Sequence, residues 1–192
     1  MKENLKLGLI LLIITSIAGL CLGEAYSITR EPIEKQAIMA NIDALKETLP
    51  GADDFKKKNV SIPASSVVKE AYEGLSNGKS VGYAIKVTSK GFKGEIEIMV
   101  GISPESKKIS GIKIISNSET AGLGANSTKP EFYGQFKGKS INSPLKVVKG
   151  GNAKDNEIDA ITGATITSNG VTDGVNEAVK FYASTLKGGE NK

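Results

Sequence analysis

The sequence predicts an α+β protein in which an N-terminal transmembrane helix precedes a domain with an antiparallel β-sheet and flanking helices. Three observations predict it: an uncharged apolar run at residues 7–23, two-residue alternation of apolar side chains within residues 81–116, and a closing apolar stripe with helical spacing. Strands first and one long helix last are typical of the α+β class. We divide the 192 residues into an anchor (1–28), a linking helix and loop (29–60) and a domain (61–192).

The composition excludes several classes of function. The chain has no histidine and a single cysteine, so it cannot by itself build a Ser-His-Asp triad, a histidine or thiolate metal site, or an iron–sulfur cluster. The formal net charge is +4, but the lysines are dispersed and aromatic residues make up only 5%, which argues against nucleic-acid binding. We therefore predict no catalytic residue and no metal ligand, and any redox role requires an organic cofactor.

The N-terminal segment is predicted to anchor the chain in a membrane. Residues 7–23 form 17 uncharged positions, at the short end of a spanning helix, and the apolar character continues past Glu24 to Ile28. Lys2 and Lys6 precede the run, so the positive-inside rule places the N-terminus in the cytoplasm and the domain on the outer (extracellular or periplasmic) face. A cleaved signal peptide is the alternative interpretation, and we favour an uncleaved anchor.

Residues 31–49 are predicted to form a separate helix that docks the domain near its anchor. Pro32 suits the first turn of such a helix, and the Pro-Gly pair at 50–51 ends it. Its apolar residues recur at spacings of four, three and four: Ile38, Ile42, Leu45 and Leu49. The three lysines that follow at 56–58 are interpreted as a solvated loop.

Alternation within residues 81–116 predicts a three-stranded antiparallel meander with one polar face. Apolar and polar residues alternate around Ile85, Ile96 and Ile112, and Gly91 and Gly94 mark the first join between strands. Residues 145–148 predict a further strand, which the Gly-Gly pair at 150–151 closes.

The stretch DAITGATITS at residues 159–168 concentrates hydroxyl groups beside two small residues, directly ahead of the last helix. That helix is predicted from its apolar stripe, which consists of Val171, Val175, Ala178 and Tyr182. Ser168 is predicted to be its N-cap. Because free N–H groups and the helix dipole favour an anion, the cluster is either a phosphate site or a set of ordinary capping hydroxyls.

The same stretch resembles the flavinylation motif of covalent FMN-binding domains. In that family a flavin transferase joins FMN, through its phosphate, to the last threonine of the motif. The resemblance implies that Thr165 is the attachment residue. It also implies that the chain is a phosphoprotein, because the FMN phosphate would be esterified to this threonine. It also implies cofactor-binding roles for the neighbouring residues Asp159, Thr162, Gly163, Ala164 and Ser168.

A second segment, ETAGLG at residues 119–124, resembles a loop that lies against the flavin in the same family. Ala121 stands where that family usually has proline, which removes a φ restraint and implies a more mobile loop. The resemblance makes Glu119, Thr120 and Leu123 flavin contacts. Lys149 matches a lysine that the family places near the cofactor.

The order of anchor, helix, meander, loop, motif and closing helix resembles the G subunits of Rnf complexes, which are ion-translocating oxidoreductases between ferredoxin and NAD. This implies an electron-relay protein that carries covalent FMN and is not expected to be catalytic alone. Its implied partners are the other membrane and peripheral subunits and a flavin transferase. Three alternatives remain: the C subunit of sodium-translocating NADH:quinone reductase, normally a longer chain; a stand-alone flavin-bearing module; and an anchored binding domain with Thr165 unmodified.

Overall fold

The structure, a computed structural model, describes residues 2–63 and 65–187. The ends of the predicted anchor and domain, Met1 and residues 188–192, lie outside the described residues. The helices and strands are α1 (Lys2–Thr48), β1 (Asp54–Lys57), β2 (Val68–Ser76), β3 (Lys79–Lys90), β4 (Glu95–Ser103), β5 (Lys108–Asn117), α2 (Pro130–Tyr133), β6 (Lys146–Val148), β7 (Glu157–Asp159) and α3 (Thr165–Phe181). Short 3-10 segments flank α2, and a π-helical turn, Tyr182–Leu186, follows α3.

The chain divides into two compact units, Met1–Ala40 and Asn41–Lys192, which are described separately. This division differs from the predicted boundaries at residues 28 and 60. The end of α1 and strand β1 lie with the sheet, whereas the sequence assigned them to a linker.

The first unit contains α1 up to Ala40, and this helix is long and apolar enough to cross a membrane. An 18-residue window of this helix has a mean hydropathy of 2.4, and none of that window is buried within the protein. The structure therefore contains one candidate membrane helix among its described residues, as the sequence predicts.

The prediction of a separate helix beginning at residue 31 is wrong, because α1 continues through Pro32. Proline removes a backbone N–H and crowds the carbonyl four residues earlier. Two i,i+4 ion pairs bracket this position, Arg30–Glu34 at 2.9 Å and Glu31–Lys35 at 2.7 Å. Such pairs each favour the helix by roughly 0.3–0.5 kcal/mol, so they offset part of the cost of the proline.

The second unit is organised around a five-stranded antiparallel sheet in which β1 to β5 are neighbours in sequence order. The predicted three-stranded meander corresponds to β3, β4 and β5 and is confirmed. Strands β1 and β2 were not predicted. The interpretation of the lysines at 56–58 as a solvated loop is wrong, because Lys57 lies in β1 and pairs with Glu70, and Lys58 pairs with Glu73 at 3.1 Å.

One face of the sheet packs against α3, and this packing forms the main core. The predicted stripe is confirmed, since Val171, Val175 and Ala178 are fully buried and Tyr182 is 3% exposed. They pack with sheet residues such as Ile85. Burying each valine side chain contributes roughly 1.5–3 kcal/mol, so this stripe fixes α3 on the sheet.

The opposite face of the sheet is not simply polar, contrary to the sequence-based expectation. Leu45, in the last turn of α1, and Leu49, directly after the helix, pack over Ala84 and Met99, which are fully buried. The docking face is therefore shorter than predicted. Two residues of the proposed apolar stripe stay largely exposed, namely Ile38 and Ile42.

A polar contact reinforces this docking. Glu47 on α1 lies 2.6 Å from the ammonium nitrogen of Lys113 on β5, and it accepts a hydrogen bond of 3.1 Å from the hydroxyl of Tyr133 on α2. The hydrogen bond to Glu47 raises the pKa of Lys113 above its usual value, even though burial opposes this. The last turns of α1 are thus tied to both β5 and α2.

A second, two-stranded sheet leads the chain towards α3. The predicted strand at residues 145–148 appears as β6, and it pairs in parallel with β7, which was not predicted. Gly150 and Gly151, with φ of 110° and 72°, turn the chain after β6 as expected. Strand β7 ends at Asp159, the residue that opens the hydroxyl-rich motif.

Candidate functional site

The loop at residues 119–124 and the TGAT motif at residues 162–165 meet at one cavity of about 390 Å³. Two segments that were identified separately in the sequence thus line the same site. The cavity is lined by Phe92, Glu119, Thr120, Leu123, Gly124, Gly163, Ala164, Thr165, Ile166 and Thr167.

The TGAT motif forms a tight connection between β7 and α3. Gly163 has a φ of 77°, a conformation that favours glycine over every other residue. Ala164 precedes the helix, and α3 begins at Thr165, which is half-buried in the cavity wall. Among the described residues, no side-chain hydrogen bond caps the start of α3. The first turn of this helix therefore presents backbone N–H groups, with their positive dipole end, next to the Thr165 hydroxyl.

The prediction that Ser168 caps α3 is wrong, because Ser168 lies inside the helix and is fully buried. Its hydroxyl donates to the carbonyl oxygen of Ala164 at 3.0 Å and accepts from the N–H of Ile161 at 3.0 Å. Ser168 therefore fixes the shape of the motif from behind, and it does not line the cavity. The helix therefore starts four residues earlier than the hydroxyl pattern suggested, with Ala164 in place of Ser168 at the N-cap.

The 119–124 loop presents Leu123 to the cavity on a hydrogen-bonded turn. The backbone N–H groups of Leu123 and Ala125 both donate to the carbonyl oxygen of Thr120 at 3.1 Å. The side chain of Asn126 donates to the carbonyl oxygen of Gly122 at 2.9 Å. Leu123 remains 43% exposed, so the loop holds an apolar side chain at the cavity edge.

Four cavity residues were not given a cofactor-binding role from the sequence. Phe92 lies outside both predicted segments, whereas Gly124, Ile166 and Thr167 lie within them. Phe92 lies in the turn between β3 and β4 and is 64% exposed, while Ile166 lies in the first turn of α3 and is 56% exposed. One local feature of the sequence pointed to Phe92. This aromatic residue lies in a turn between Gly91 and Gly94 and is not part of the alternating pattern of either neighbouring strand. With Leu123, these two side chains give the cavity three exposed apolar edges.

Besides Ser168, three of the predicted site residues do not line this cavity. Thr162 is exposed in the turn before α3, and Lys149 is exposed just after β6. Asp159 lines a different cavity of about 350 Å³ beside Gln135, whose side-chain oxygen accepts from the Asp159 backbone N–H at 2.8 Å. One carboxylate oxygen of Asp159 accepts from the N–H of Ala153 at 3.3 Å, and the other is buried without a hydrogen-bond partner in the described part of the chain.

The side chains of the cavity suit an organic ligand better than a metal ion. The described residues include no group of three or more His, Cys, Asp or Glu side chains that could hold a metal. The cavity combines apolar edges, one carboxylate at Glu119 and the Thr165 hydroxyl at a helix N-terminus. Concave sites with mostly apolar walls and a few fixed polar groups are typical of cofactor sites.

Comparison with known proteins identifies a family for this arrangement. The FMN-binding domain family matches residues 91–180, which include every residue of the cavity. The fold also resembles the crystal structure of the C subunit of Na⁺-translocating NADH-quinone reductase from Parabacteroides distasonis. The TM-score is 0.61 at 21% identity, over 80% of this chain and 95% of that one.

Two relatives match almost from end to end. The G subunit of the Na⁺-translocating ferredoxin:NAD⁺ oxidoreductase complex of Acetobacterium woodii is 40% identical over 97% of this chain and 95% of its own length. The G subunit of the proton-translocating ferredoxin:NAD⁺ oxidoreductase complex of Clostridium ljungdahlii is 37% identical over 91% of this chain and 88% of its own. This chain therefore belongs to the family of G subunits of Rnf-type ion-translocating oxidoreductase complexes, and it contains an FMN-binding domain.

Proposed function

We propose that this chain is the electron-relay subunit of a membrane-bound ferredoxin:NAD oxidoreductase of the Rnf type, with FMN attached through a phosphoester to Thr165. One observation carries the proposal: the Thr165 hydroxyl lies at the first residue of α3, in the wall of a cavity that the 119–124 loop completes. A flavin bound there would supply one- or two-electron transfer, which the side chains of this chain cannot perform.

The start of α3 fits a phosphate group. The helix begins at Thr165 without a side-chain cap from the described residues, so its first-turn N–H groups are available to a ligand. The aligned peptide dipoles favour negative charge at this end of the helix. A phosphate esterified to Thr165 would therefore be held by backbone groups, which explains why no arginine or lysine is needed in the cavity wall.

The rest of the cavity fits the ring of a flavin. Phe92, Leu123 and Ile166 line the cavity with apolar side chains, and all three are substantially exposed in the protein alone. Burying them under a flat, largely apolar ring would remove this surface from water, which favours binding. In the proposed role these residues hold and orient the ring and exclude water from it.

The proposal places the FMN-binding domain on the outer face of the cell membrane. Lys2 and Lys6 flank the apolar run at its N-terminal end, which favours a cytoplasmic N-terminus. Because residues 7–23 contain no charged side chain, this single helix offers no path for an ion or an electron. Ion translocation and the transfer of electrons across the bilayer are therefore assigned to the partner subunits, and this chain accepts and passes electrons.

The attachment is tested by comparing Thr165→Ala and Thr165→Ser with a matched control, Thr162→Ala, in the full chain produced with a flavin transferase. Intact mass and in-gel fluorescence after denaturation measure the adduct, and peptide mapping locates it. Thr165→Ala should lose the flavin and stay folded, because it removes the linking oxygen and little core volume. Thr165→Ser should retain some adduct. Thr162→Ala keeps the Thr165 hydroxyl, so the adduct in this variant should still map to Thr165. A flavin mapped to Thr162 or Thr167 would refute the assignment, as would full loading of Thr165→Ala.

A stand-alone flavin-bearing module remains the second candidate, since an anchored FMN-binding domain is also compatible with that role. Co-purification from native membranes separates the two: the proposed relay protein should be recovered with other subunits of an Rnf-type complex, whereas a stand-alone module should be recovered without them.

A further inference from the structure

The carboxylate of Glu119 joins segments that are far apart in sequence. One carboxylate oxygen accepts the backbone N–H of Lys93 at 2.9 Å, across 26 residues, and the other accepts the hydroxyl of Thr167, across 48 residues. The Glu119 backbone is held in turn, because its N–H donates to the side-chain oxygen of Asn117 at 3.0 Å. Both oxygens of this cavity residue are thus engaged by the protein itself.

At two positions beside this carboxylate, Gly91 and Gly124, any larger residue would force the neighbouring side chains to move. A Cβ atom added at Gly91 would lie 2.5 Å from one carboxylate oxygen of Glu119. A Cβ atom added at Gly124 would lie 2.9 Å from the Glu119 Cβ and 2.6 Å from the Thr167 hydroxyl oxygen. The turn between β3 and β4, the 119–124 loop and the first turn of α3 therefore all close around Glu119.

The two partners of Glu119 are neighbours of the cavity's apolar edges. Lys93 directly follows Phe92, and Thr167 directly follows Ile166. Thr167 is only 1% exposed, so its hydroxyl acts within the protein. Hydrogen bonds to an ionised carboxylate are stronger than those between neutral groups, so this pair of bonds restrains the two edges relative to each other.

We propose that Glu119 is a positioning residue: by tying Lys93 to Thr167 it sets the spacing between Phe92 and Ile166, the edges that receive the flavin ring. The inference rests on the proposed function for the identity of the ligand. It differs from the role implied by family resemblance, in which Glu119 contacts the flavin directly. If Glu119 positions the cavity edges, its effect is present before any flavin is attached. Measurements on flavin-free protein therefore distinguish a positioning role from direct contact with the flavin.

The test uses a fluorescent reporter at the cavity edge. The chain contains no tryptophan, so Phe92→Trp provides a single tryptophan whose emission can be excited selectively. Thr167→Val is added to this parent, because it deletes the hydroxyl while keeping side-chain shape and charge. Thr172→Val is the matched control: Thr172 lies on the same helix, is 2% exposed, and donates its hydroxyl to the Ser168 carbonyl oxygen at 2.9 Å.

The full chain is first purified from cells without a flavin transferase, and acrylamide quenching and anisotropy of the tryptophan are measured. Thr167→Val should increase quenching and lower anisotropy, whereas Thr172→Val should match the parent. In flavin-loaded protein, Thr167→Val should also reduce quenching of the tryptophan by the flavin. Equal behaviour of the two valine variants would overturn the inference.

Substitutions of Glu119 itself provide an independent arm, in case Thr167→Val does not fold. Glu119→Ala removes both bonds and should raise acrylamide quenching, while Glu119→Gln keeps an oxygen for Lys93 and should stay closer to the parent. An unchanged reporter in Glu119→Ala, or a glutamine variant as altered as the alanine variant, would contradict a positioning role. Because these measurements use protein without flavin, they stand even if FMN is attached at another residue.

Discussion

Replacing Gly170 by alanine should destabilise the FMN-binding domain, although alanine is the better helix former. Gly170 lies in α3 and is buried where the helix crosses the end of β3. A Cβ atom there would lie 3.1 Å from the carbonyl carbon of Lys90 and 3.4 Å from the Cα of Gly91, and closer still to the Lys90 carbonyl oxygen. These are backbone atoms of the sheet and its turn, so they cannot rotate away as a side chain would.

Gly174, one turn later on the same face of α3, provides the matched comparison. A Cβ atom there would lie 3.1–3.2 Å from side-chain atoms of Ile98 and Ser89, which can move by a few tenths of an ångström. Alanine gains about 1 kcal/mol over glycine in a helix interior. At Gly174 this gain should roughly cancel a small packing cost. At Gly170 overpacking of about 3 kcal/mol should exceed it and leave a net loss of about 2 kcal/mol.

The measurement is thermal unfolding of the full chain in detergent, followed by circular dichroism, for Gly170→Ala, Gly174→Ala and the parent. For a domain of this size, a loss of about 2 kcal/mol lowers the Tm by roughly 4–8 °C. We expect this decrease for Gly170→Ala and a change within about 2 °C for Gly174→Ala. Equal Tm values for the two variants would show that the close approach of α3 to β3 does not determine the choice of glycine.

Three further outcomes are expected. Leu123→Ala should shift the absorbance or midpoint potential of the bound flavin without releasing it, because Leu123 lines the cavity and is not the proposed attachment residue; an unchanged spectrum and potential would count against a contact with the ring. Protease added to right-side-out vesicles should cut the chain after Ile28, and cleavage only in inverted vesicles would reverse the proposed topology. Burial alone would raise the pKa of Glu70, but hydrogen bonds from Lys57 and Tyr72 outweigh it and lower this pKa. The resulting contribution to stability is present above the usual carboxylate pKa and is lost as the pH falls through the lowered value. The Tm of Glu70→Gln should therefore decrease less than the Tm of the parent when the pH is lowered from about 7 to about 3.

Patterns of short period allowed much of the fold to be predicted. The alternation around Ile85 and Ile96 identified the central strands, and the stripe from Val171 to Tyr182 identified the helix that covers them. These predictions were confirmed because burial on one face of a strand or helix imposes a period that the sequence itself displays. Strand β2 was not predicted because its outward-facing residues and Gly74 interrupt the alternation of apolar and polar residues. Strand β1 was not predicted because a run of lysines resembles a loop.

The two motifs of the candidate site could also be located in the sequence, since each is contiguous. Their chemistry follows from local features: a glycine at positive φ, a hydroxyl at a helix start, and a leucine between loop glycines. The position of Ser168 could not be decided in this way. A hydroxyl residue near the start of a helix can be either the N-cap or part of the first turn. The hydrogen bonds of Ser168 to Ile161 and Ala164 place it inside the helix.

Sequence alone thus determined which segments form the candidate membrane helix, the central strands of the sheet, the covering helix and the TGAT motif, because each is encoded by neighbouring residues. Only the tertiary structure decided that the 119–124 loop and Thr165 share a cavity, that Asp159 and Lys149 lie outside it, and that Phe92 forms an edge of it. The bond between Glu119 and Thr167 spans 48 residues. Contacts between residues so far apart in sequence depend on how the helix packs on the sheet. The periodic pattern of apolar residues within one segment does not predict that packing.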